Sequence, residues 1–129
     1  MTAHAIAEWL QGRHKASYTW PQMAVLYPEH HIGERVAAAC ARLGIPVDVA
    51  KVNRNRITVS TPAVRLMTMH TAKGLEFSCV AVAGLGALGR HGTALDDDVR
   101  LAYVAITRAT HEAFLTYSRV SPLVERLVA

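Results

Sequence analysis

Hydrophobic and polar positions in the first half of the chain repeat with two different periods, which predicts helices and strands in alternation. Apolar residues recur at helical spacing near the start, so we expect a first helix over about residues 3–14. The uninterrupted apolar run of residues 23–27 predicts a buried strand. An alanine-rich helix is expected over about residues 33–43, because Gly44 follows it at the usual C-cap position. Residues 45–49 contain a proline and predict a return to extended structure.

The second half of the chain continues this alternation. Two nearly continuous apolar segments, residues 64–69 and 79–83, predict strands that are buried on both faces. A helix is expected over about residues 96–109, whose three leading aspartates suit the positive end of the helix dipole. Residues 113–117 predict a further strand, and the Ser-Pro pair at 121–122 predicts the start of a short terminal helix. Together these elements predict an α/β fold, a mostly parallel sheet with helices on both faces.

The composition fits one globular domain and excludes a disordered chain. Of the 129 residues, 51% are hydrophobic and 19% are charged, so the chain has enough apolar surface to form a core. The formal net charge is +4, and the seven histidines add positive charge below neutrality. This balance permits nucleic-acid binding but does not demonstrate a basic patch. Part of the basic charge falls in a polar connector over residues 51–63.

The cysteines and the start of the chain predict the compartment. Cys40 and Cys79 are isolated, without C-x-x-C spacing, which favours two free buried thiols over a disulfide or a zinc site. Residues 1–11 lack the positively charged N-terminal region and the apolar segment of a signal peptide. No run reaches the roughly 18 apolar residues of a membrane span. We therefore expect a cytoplasmic protein.

Polar residues interrupt the apolar run at the end of the strand predicted over residues 64–69. Thr68, His70 and Thr71 lie there, at the carboxyl end, where open α/β sheets bind ligands. A hydroxyl and an imidazole at this position can contact phosphate or sugar oxygens. Alternatively, Thr68 and His70 alternate outward merely as the polar face of the strand. The residues alone leave both interpretations open.

Lys73, Gly74 and Glu76 follow directly in the sequence. A glycine lets the backbone approach a ligand closely, a lysine supplies a compact cation for phosphate, and a carboxylate accepts hydrogen bonds from ribose hydroxyls. Lysine and glutamate are also common in solvated turns, so this short motif alone favours an exposed turn without a ligand.

Arg108 lies near the end of the helix predicted over residues 96–109. Apolar residues lie on two sides of that helix, which predicts that it is sandwiched and that Arg108 requires a partner. A permanent cation with a five-donor fork suits the charge that develops on a transferring phosphoryl group. The alternatives are a structural salt bridge to the acids at 96–98 or to Glu112, or a contact with the carbonyl end of the helix. The apolar positions are Leu95, Val99, Ala102, Ile106 and Ala109 on one side, and Leu101, Val104 and Ala105 on the other.

The two blocks at residues 66–77 and 101–109 together resemble motifs V and VI of superfamily 1 helicases of the UvrD/Rep/PcrA type. The resemblance is strongest over residues 64–114. It implies that residues 1–129 form one RecA-like C-terminal (2A) domain of a larger protein, with residues 1–20 as a peripheral helix and connector.

The resemblance also implies roles for the polar residues of both blocks. Thr68, His70 and the adjacent Thr71 would contact the backbone of single-stranded DNA. Glu76 would bind the ribose of ATP, with Lys73 and Gly74 near the same nucleotide. Arg108 would contact the γ-phosphate as an arginine finger, whereas Tyr103 is expected to serve packing. The site residues implied for ATP are thus Lys73, Gly74, Glu76 and Arg108.

The sequence departs from the complete helicase pattern in several respects. It contains no G-x-x-x-x-G-K-[S/T] phosphate loop, so we expect this chain alone not to hydrolyse ATP, and Mg²⁺ to be held by an N-terminal RecA-like lobe. Residues 28–30 read Pro-Glu-His where relatives often carry R-T-N, and the connector at 48–63 is too short for a large 2B insertion. Two alternatives remain open. One is a stand-alone module that binds nucleic acid or protein without catalysis, and the other is a helicase-like factor that acts on RNA polymerase.

Overall fold

The computed structural model describes residues 2–49, 62–72, 74–84 and 95–116. These contain three α-helices, one 3₁₀ turn and five strands, in the alternating order that the hydrophobic pattern predicts. The elements are α1 (Thr2–Lys15), the 3₁₀ turn (Trp20–Gln22), β1 (Met23–Tyr27), α2 (His30–Arg42), β2 (Val47–Val49), β3 (Val64–Thr68), β4 (Phe77–Val82), α3 (Leu95–Ile106) and β5 (Ala109–Leu115).

The five strands form one parallel sheet in the order β2-β3-β1-β4-β5. This confirms the α/β fold with a parallel sheet. In the register of the sheet, Tyr27 at the end of β1 lies opposite Thr68 at the end of β3, and Leu26 lies opposite Val82 of β4. The carboxyl ends of these three strands therefore lie at one edge of the sheet, which we call the carboxyl edge. The amino ends of β4 and β5 meet at the opposite, amino edge.

Helices cover both faces of the sheet, as predicted. Ile6 and Leu10 of α1 and Val36 of α2 are buried with Val25 and Leu66 on one face. On the other face, a separate core includes the α3 alanines and alternate strand residues: Ala102, Ala105, Ala24, Leu26, Met67, Val80 and Val82. Because both faces are covered, every residue of β1 is buried. None of the described helices is long and apolar enough to cross a membrane.

Helix α2 begins at His30, three residues before the predicted start, and ends as predicted before Gly44, whose φ of 72° is the left-handed conformation of a C-cap. Gly33 is required by packing in the first turns of this helix. A Cβ at Gly33 would lie 2.6 Å from the hydroxyl oxygen of Tyr27, which is fully buried beneath the helix. The early start thus depends on a glycine that leaves room for an aromatic ring.

The boundary between α3 and β5 differs from the prediction. The helix ends at Ile106 rather than near Ala109, and β5 begins at Ala109 rather than at residue 113. The physical reason is pairing with β4: the Phe77 N–H donates to the Arg108 carbonyl at 2.8 Å, and Phe77 lies opposite Ala109. Sheet hydrogen bonds therefore override the apolar stripe that continues the helical pattern.

Both cysteines are buried and free, as predicted. Most of the predicted connector over residues 51–63, the glycine-containing segment at 85–94 and the predicted terminal helix from residue 121 lie outside the described residues.

Candidate functional site

The first polar block forms a turn at the carboxyl edge of the sheet. β3 ends at Thr68, and the two hydroxyls of Thr68 and Thr71 are hydrogen-bonded at 2.9 Å, while the Thr71 N–H donates to the Thr68 hydroxyl oxygen at 3.3 Å. The Met69 N–H donates to the carbonyl of Tyr27 at 2.9 Å, which holds the turn against β1. The turn therefore presents two threonine hydroxyls at the end of the strand, as the sequence predicts.

His70 belongs to this turn and not to the strand. Its side chain is exposed, whereas Met69 and Ala72 on either side are fully buried in the core beneath α3. The interpretation of His70 as part of the polar face of a strand is therefore wrong, since β3 has ended at Thr68. Buried neighbours anchor the turn and leave the imidazole at the surface.

The chain then crosses the α3-covered face of the sheet and reaches the amino end of β4. Gly74 has a φ of 80°, and a Cβ there would meet no atom within 4 Å, so the glycine is explained by its left-handed backbone and not by a close approach within the chain. Glu76 is exposed and directly precedes β4. Lys73 lies outside the described residues.

Arg108 lies at this same amino edge, between α3 and β5. Its backbone carbonyl accepts the N–H of Phe77, and Phe77 directly follows Glu76. This sheet hydrogen bond therefore brings the backbone of Arg108 close to that of Glu76, the other candidate for nucleotide binding. The half-buried Arg108 side chain donates from Nε to the Val104 carbonyl at 3.2 Å, which is the predicted contact with the carbonyl end of the helix. Glu112, one of the acids considered as its partner, instead pairs with Arg13.

The surroundings of Arg108 correct two expectations. Tyr103, expected to serve packing, is 66% exposed, and Val104 is only half-buried. Among the described side chains of α3, the buried ones are Ala102 and Ala105, which face the sheet. The helix is therefore not sandwiched over the turn that carries Tyr103, because one side of that turn faces solvent.

The predicted site residues thus form two groups at opposite edges of the sheet. Thr68, His70 and Thr71 lie at the carboxyl edge, whereas Gly74 precedes the amino edge and Glu76 and Arg108 lie at it. β4 spans residues 77–82, so the edges are separated by roughly 17 Å at the usual rise of a strand. A segment of eight residues, 69–76, connects them along the chain.

The sequence pattern did not reveal a polar cluster between α1 and the sheet. One guanidinium nitrogen of Arg13 donates to both carboxylate oxygens of Glu112, at 2.9 and 3.1 Å, across 99 positions of sequence. Burial, with Glu112 nearby, raises the pKa of the Cys79 thiol, and burial followed by the charges of Cys79 and Glu112 raises the pKa of Tyr18. No local sequence signal pairs residues this far apart.

Three histidines at the carboxyl edge also escaped notice as a group. His30 and His31 begin α2 directly after β1, and His70 follows the neighbouring strand β3. All three are exposed. Among the described residues, no cluster of histidine, cysteine, aspartate or glutamate is arranged to hold a metal ion.

The chain shares a defined sequence pattern with a helicase family. The family model of the UvrD-like helicase C-terminal domain matches residues 47–120, more than half of the chain. This chain belongs to the UvrD-like helicase C-terminal domain family. The resemblance to helicases of the UvrD/Rep/PcrA type is thereby confirmed at the level of the family.

Curated relatives match this UvrD-like domain over about half of its length or more. DNA helicase II of Escherichia coli is 43% identical over 68 residues, which cover 47% of this chain and 9% of the relative. The ATP-dependent DNA helicase PcrA of Bacillus subtilis is 42% identical over 71 residues, 50% of this chain and 10% of the relative. The ATP-dependent DNA helicase UvrD1 of Mycobacterium leprae is 37% identical over 89 residues, 63% and 11% respectively. The match thus spans about a tenth of the length of these relatives.

The fold of the UvrD-like domain has a solved counterpart. The C-terminal domain of a possible DNA helicase from Lactobacillus plantarum superposes with a TM-score of 0.72 and 24% identity. The superposition covers 97% of this chain and 72% of that chain. The similarity extends the shared fold beyond residues 47–120 to nearly the whole sequence.

Proposed function

We propose that this UvrD-like domain is the C-terminal motor lobe of an ATP-dependent DNA helicase or translocase. Residues 66–77 then act as motif V and residues 101–109 as motif VI. The observation that carries the proposal is the division of their polar side chains between two edges of one sheet. One edge presents hydroxyls and an imidazole suited to a nucleic-acid backbone, and the other presents a cation and a carboxylate suited to a nucleotide.

The amino-edge residues fit the chemistry of ATP. Glu76 is an exposed acceptor for ribose hydroxyls, and Arg108 supplies a guanidinium fork for phosphate oxygens. Bound ATP supplies the phosphoryl group, whose negative charge Arg108 stabilises as it develops during transfer. The hydrogen bond from Phe77 to the Arg108 carbonyl fixes the backbone of the arginine beside Glu76. Lys73 acts near the same nucleotide, and Mg²⁺ and the phosphate loop belong to an N-terminal RecA-like lobe.

The carboxyl-edge residues bind single-stranded DNA in this proposal. The hydroxyls of Thr68 and Thr71 and the imidazole of His70 contact phosphate oxygens, which positions the strand without reading its bases. Residues 69–76 connect this edge to the nucleotide edge, and Met69 and Ala72 within them are buried under α3. The turn proposed to hold DNA and the helix that precedes Arg108 therefore pack in one core.

The decisive experiment is the steady-state ATPase rate of the protein that carries both lobes, with Arg108→Ala. Loss of an arginine finger lowers kcat by about 10³-fold or more. The matched control is Arg100→Ala, which removes an exposed arginine of α3 that lies eight residues before Arg108. An unchanged kcat in Arg108→Ala, or an equal loss in Arg100→Ala, contradicts the assignment. The isolated 129-residue chain is expected to hydrolyse no ATP.

A further inference from the structure

We infer that the rings of Tyr18 and His111 form a corner that binds the base of the nucleotide. The inference rests on the proposed function, in which Glu76 binds the ribose and Arg108 binds the phosphates at the amino edge. It extends that site onto the face of the sheet that α1 and α2 cover, and it adds two binding residues to it.

A β-bulge in β5 places His111. The register of β4 and β5 shifts between residues 77 and 79 of β4, so that Thr110 and His111 of β5 lie opposite one residue of β4. Neighbouring side chains of a regular strand point to opposite faces, yet the Thr110 hydroxyl and Nδ1 of His111 are hydrogen-bonded at 2.9 Å. The bulge therefore directs both exposed side chains to one side. Bulges are frequent next to active sites because they re-aim a side chain.

Hydrogen bonds place this bulge beside the candidate nucleotide residues. The Thr110 hydroxyl donates to the Phe77 carbonyl at 3.4 Å. The Phe77 N–H donates to the Arg108 carbonyl at 2.8 Å, and Glu76 directly precedes Phe77. The imidazole of His111 is therefore separated from the backbone next to Glu76 by a single hydroxyl group.

The ring of Tyr18 completes the corner. The ring centroids of Tyr18 and His111 are 6.1 Å apart and the ring planes meet at 66°, so a planar base that stacks on one ring meets the other edge to face. The Tyr18 N–H donates to the Arg13 carbonyl at 3.2 Å, and the Tyr18 side chain packs on the core near Glu112. Arg13 and Glu112 are paired with each other, so the polar cluster between α1 and the sheet holds this ring in place.

The direction of a bound nucleotide follows from the positions of its two ends. The Arg108 side chain donates to the Val104 carbonyl of α3, so the phosphates that Arg108 binds lie toward the face that α3 covers. Tyr18 packs with the core on the opposite face. Base and phosphates are attached at opposite ends of the ribose. With the ribose held by Glu76 at the edge between the two faces, the base is directed to the corner of Tyr18 and His111.

The corner contributes stacking and no charge. Its loss should therefore weaken the binding of a nucleotide but not the binding of a phosphate chain without a nucleoside. Replacement of a ring on which a base stacks lowers affinity by about tenfold. Loss of Arg108, by contrast, should weaken both ligands, because the guanidinium contacts phosphate oxygens.

The test is inhibition of the ATPase of the protein that carries both lobes by two competitors, the ATP analogue AMP-PNP and tripolyphosphate. His111→Ala should raise the inhibition constant of AMP-PNP about tenfold and leave that of tripolyphosphate unchanged. His111→Phe keeps a ring and should restore most of the AMP-PNP affinity. The matched control is His4→Ala, which removes an exposed histidine that pairs with Glu8 on α1 and should change neither constant.

Two variants of Tyr18 separate the ring from its hydroxyl. Tyr18→Leu should weaken AMP-PNP as His111→Ala does, whereas Tyr18→Phe should keep its affinity. An unchanged AMP-PNP constant in His111→Ala, or an equal weakening of tripolyphosphate, overturns the inference. If Arg108→Ala still lowers kcat in that case, the proposed function stands without the corner. A protein with both lobes that hydrolyses no ATP overturns both.

Discussion

Arg13 in the last turn of α1 and Glu112 in the middle of β5 form an ion pair in which one guanidinium nitrogen donates to both carboxylate oxygens. The pair lies outside the two motif blocks, yet Glu112 is only four residues from Arg108. Glu112 also follows a shift in the register between β4 and β5. Phe77 lies opposite Ala109, but Cys79, two residues later, lies opposite Glu112, three residues after Ala109. The ion pair therefore attaches α1 to the strand segment that follows the candidate arginine finger.

A double-mutant cycle measures what this attachment contributes to stability. Both side chains are about one-third exposed, at 31% and 39%, so solvent screening limits the coupling between Arg13→Gln and Glu112→Gln to about 0.5–1 kcal/mol. Urea unfolding of the two single variants and the double variant gives this value. The exposed pair His4 and Glu8 on α1 is the control and should show less coupling. A coupling near zero for Arg13 and Glu112 would leave the contact without an energetic role.

Two glycines in helices provide a matched prediction about packing. Gly33→Ala directs a Cβ into the buried ring of Tyr27 and should destabilise the fold by about 2–3 kcal/mol, since this is overpacking against a fully buried side chain. Gly12→Ala in α1 meets no atom within 4 Å and should stabilise the helix by about 0.5–1 kcal/mol. Thermal or urea unfolding of the two variants should show a loss of stability for Gly33→Ala and a gain for Gly12→Ala. Equal effects of both substitutions would show that Tyr27 moves aside without cost.

The elements that sequence reasoning predicted well are those in which one local pattern of apolar residues extends over the whole element. Residues 23–27 form β1 with the bounds expected, because an uninterrupted apolar strand requires cover on both faces. Helix α1 differs from its predicted range by one residue at each end. In both cases the local pattern and the tertiary environment favour the same structure, so tertiary contacts do not move the bounds that the pattern predicts.

The end of α3 and the division of the site are different, because contacts distant in sequence decide them. The apolar stripe continues to Ala109, but pairing with Phe77 converts that residue into the first of β5. Likewise, Thr68 and Glu76 are close in sequence, yet the segment between them crosses the sheet from one edge to the other. Local periodicity carries no information about such a crossing, which follows from the parallel pairing of β3 and β4 with β1.

The pH dependence of stability above neutrality follows from two buried groups on the α1 and α2 side of the sheet. Burial raises the pKa of the Cys40 thiol from 9.0 to about 11, and burial, with Glu34 nearby, raises the pKa of Tyr27 from 10.0 to about 12. The folded protein keeps both protons in the interval where the unfolded chain releases them. Because the unfolded state then binds fewer protons, stability is complete below pH 9 and decreases as the pH rises to about 12.

Tyr27→Phe should remove the part of this alkaline loss that begins near pH 10. The Tyr27 hydroxyl is buried and has no hydrogen-bond partner among the described residues, so its removal should cost no stability at pH 7 and is expected to add about 1 kcal/mol. Urea midpoints at pH 7, 10 and 11 test both statements, with Tyr103→Phe as the control that removes an exposed phenol. If the stability of Tyr27→Phe decreases above pH 10 as steeply as that of the wild type, Tyr27 is not the group responsible for the alkaline loss. If it is instead less stable at pH 7, the hydroxyl has a partner in the folded protein, and the room that Gly33 leaves for it serves that contact.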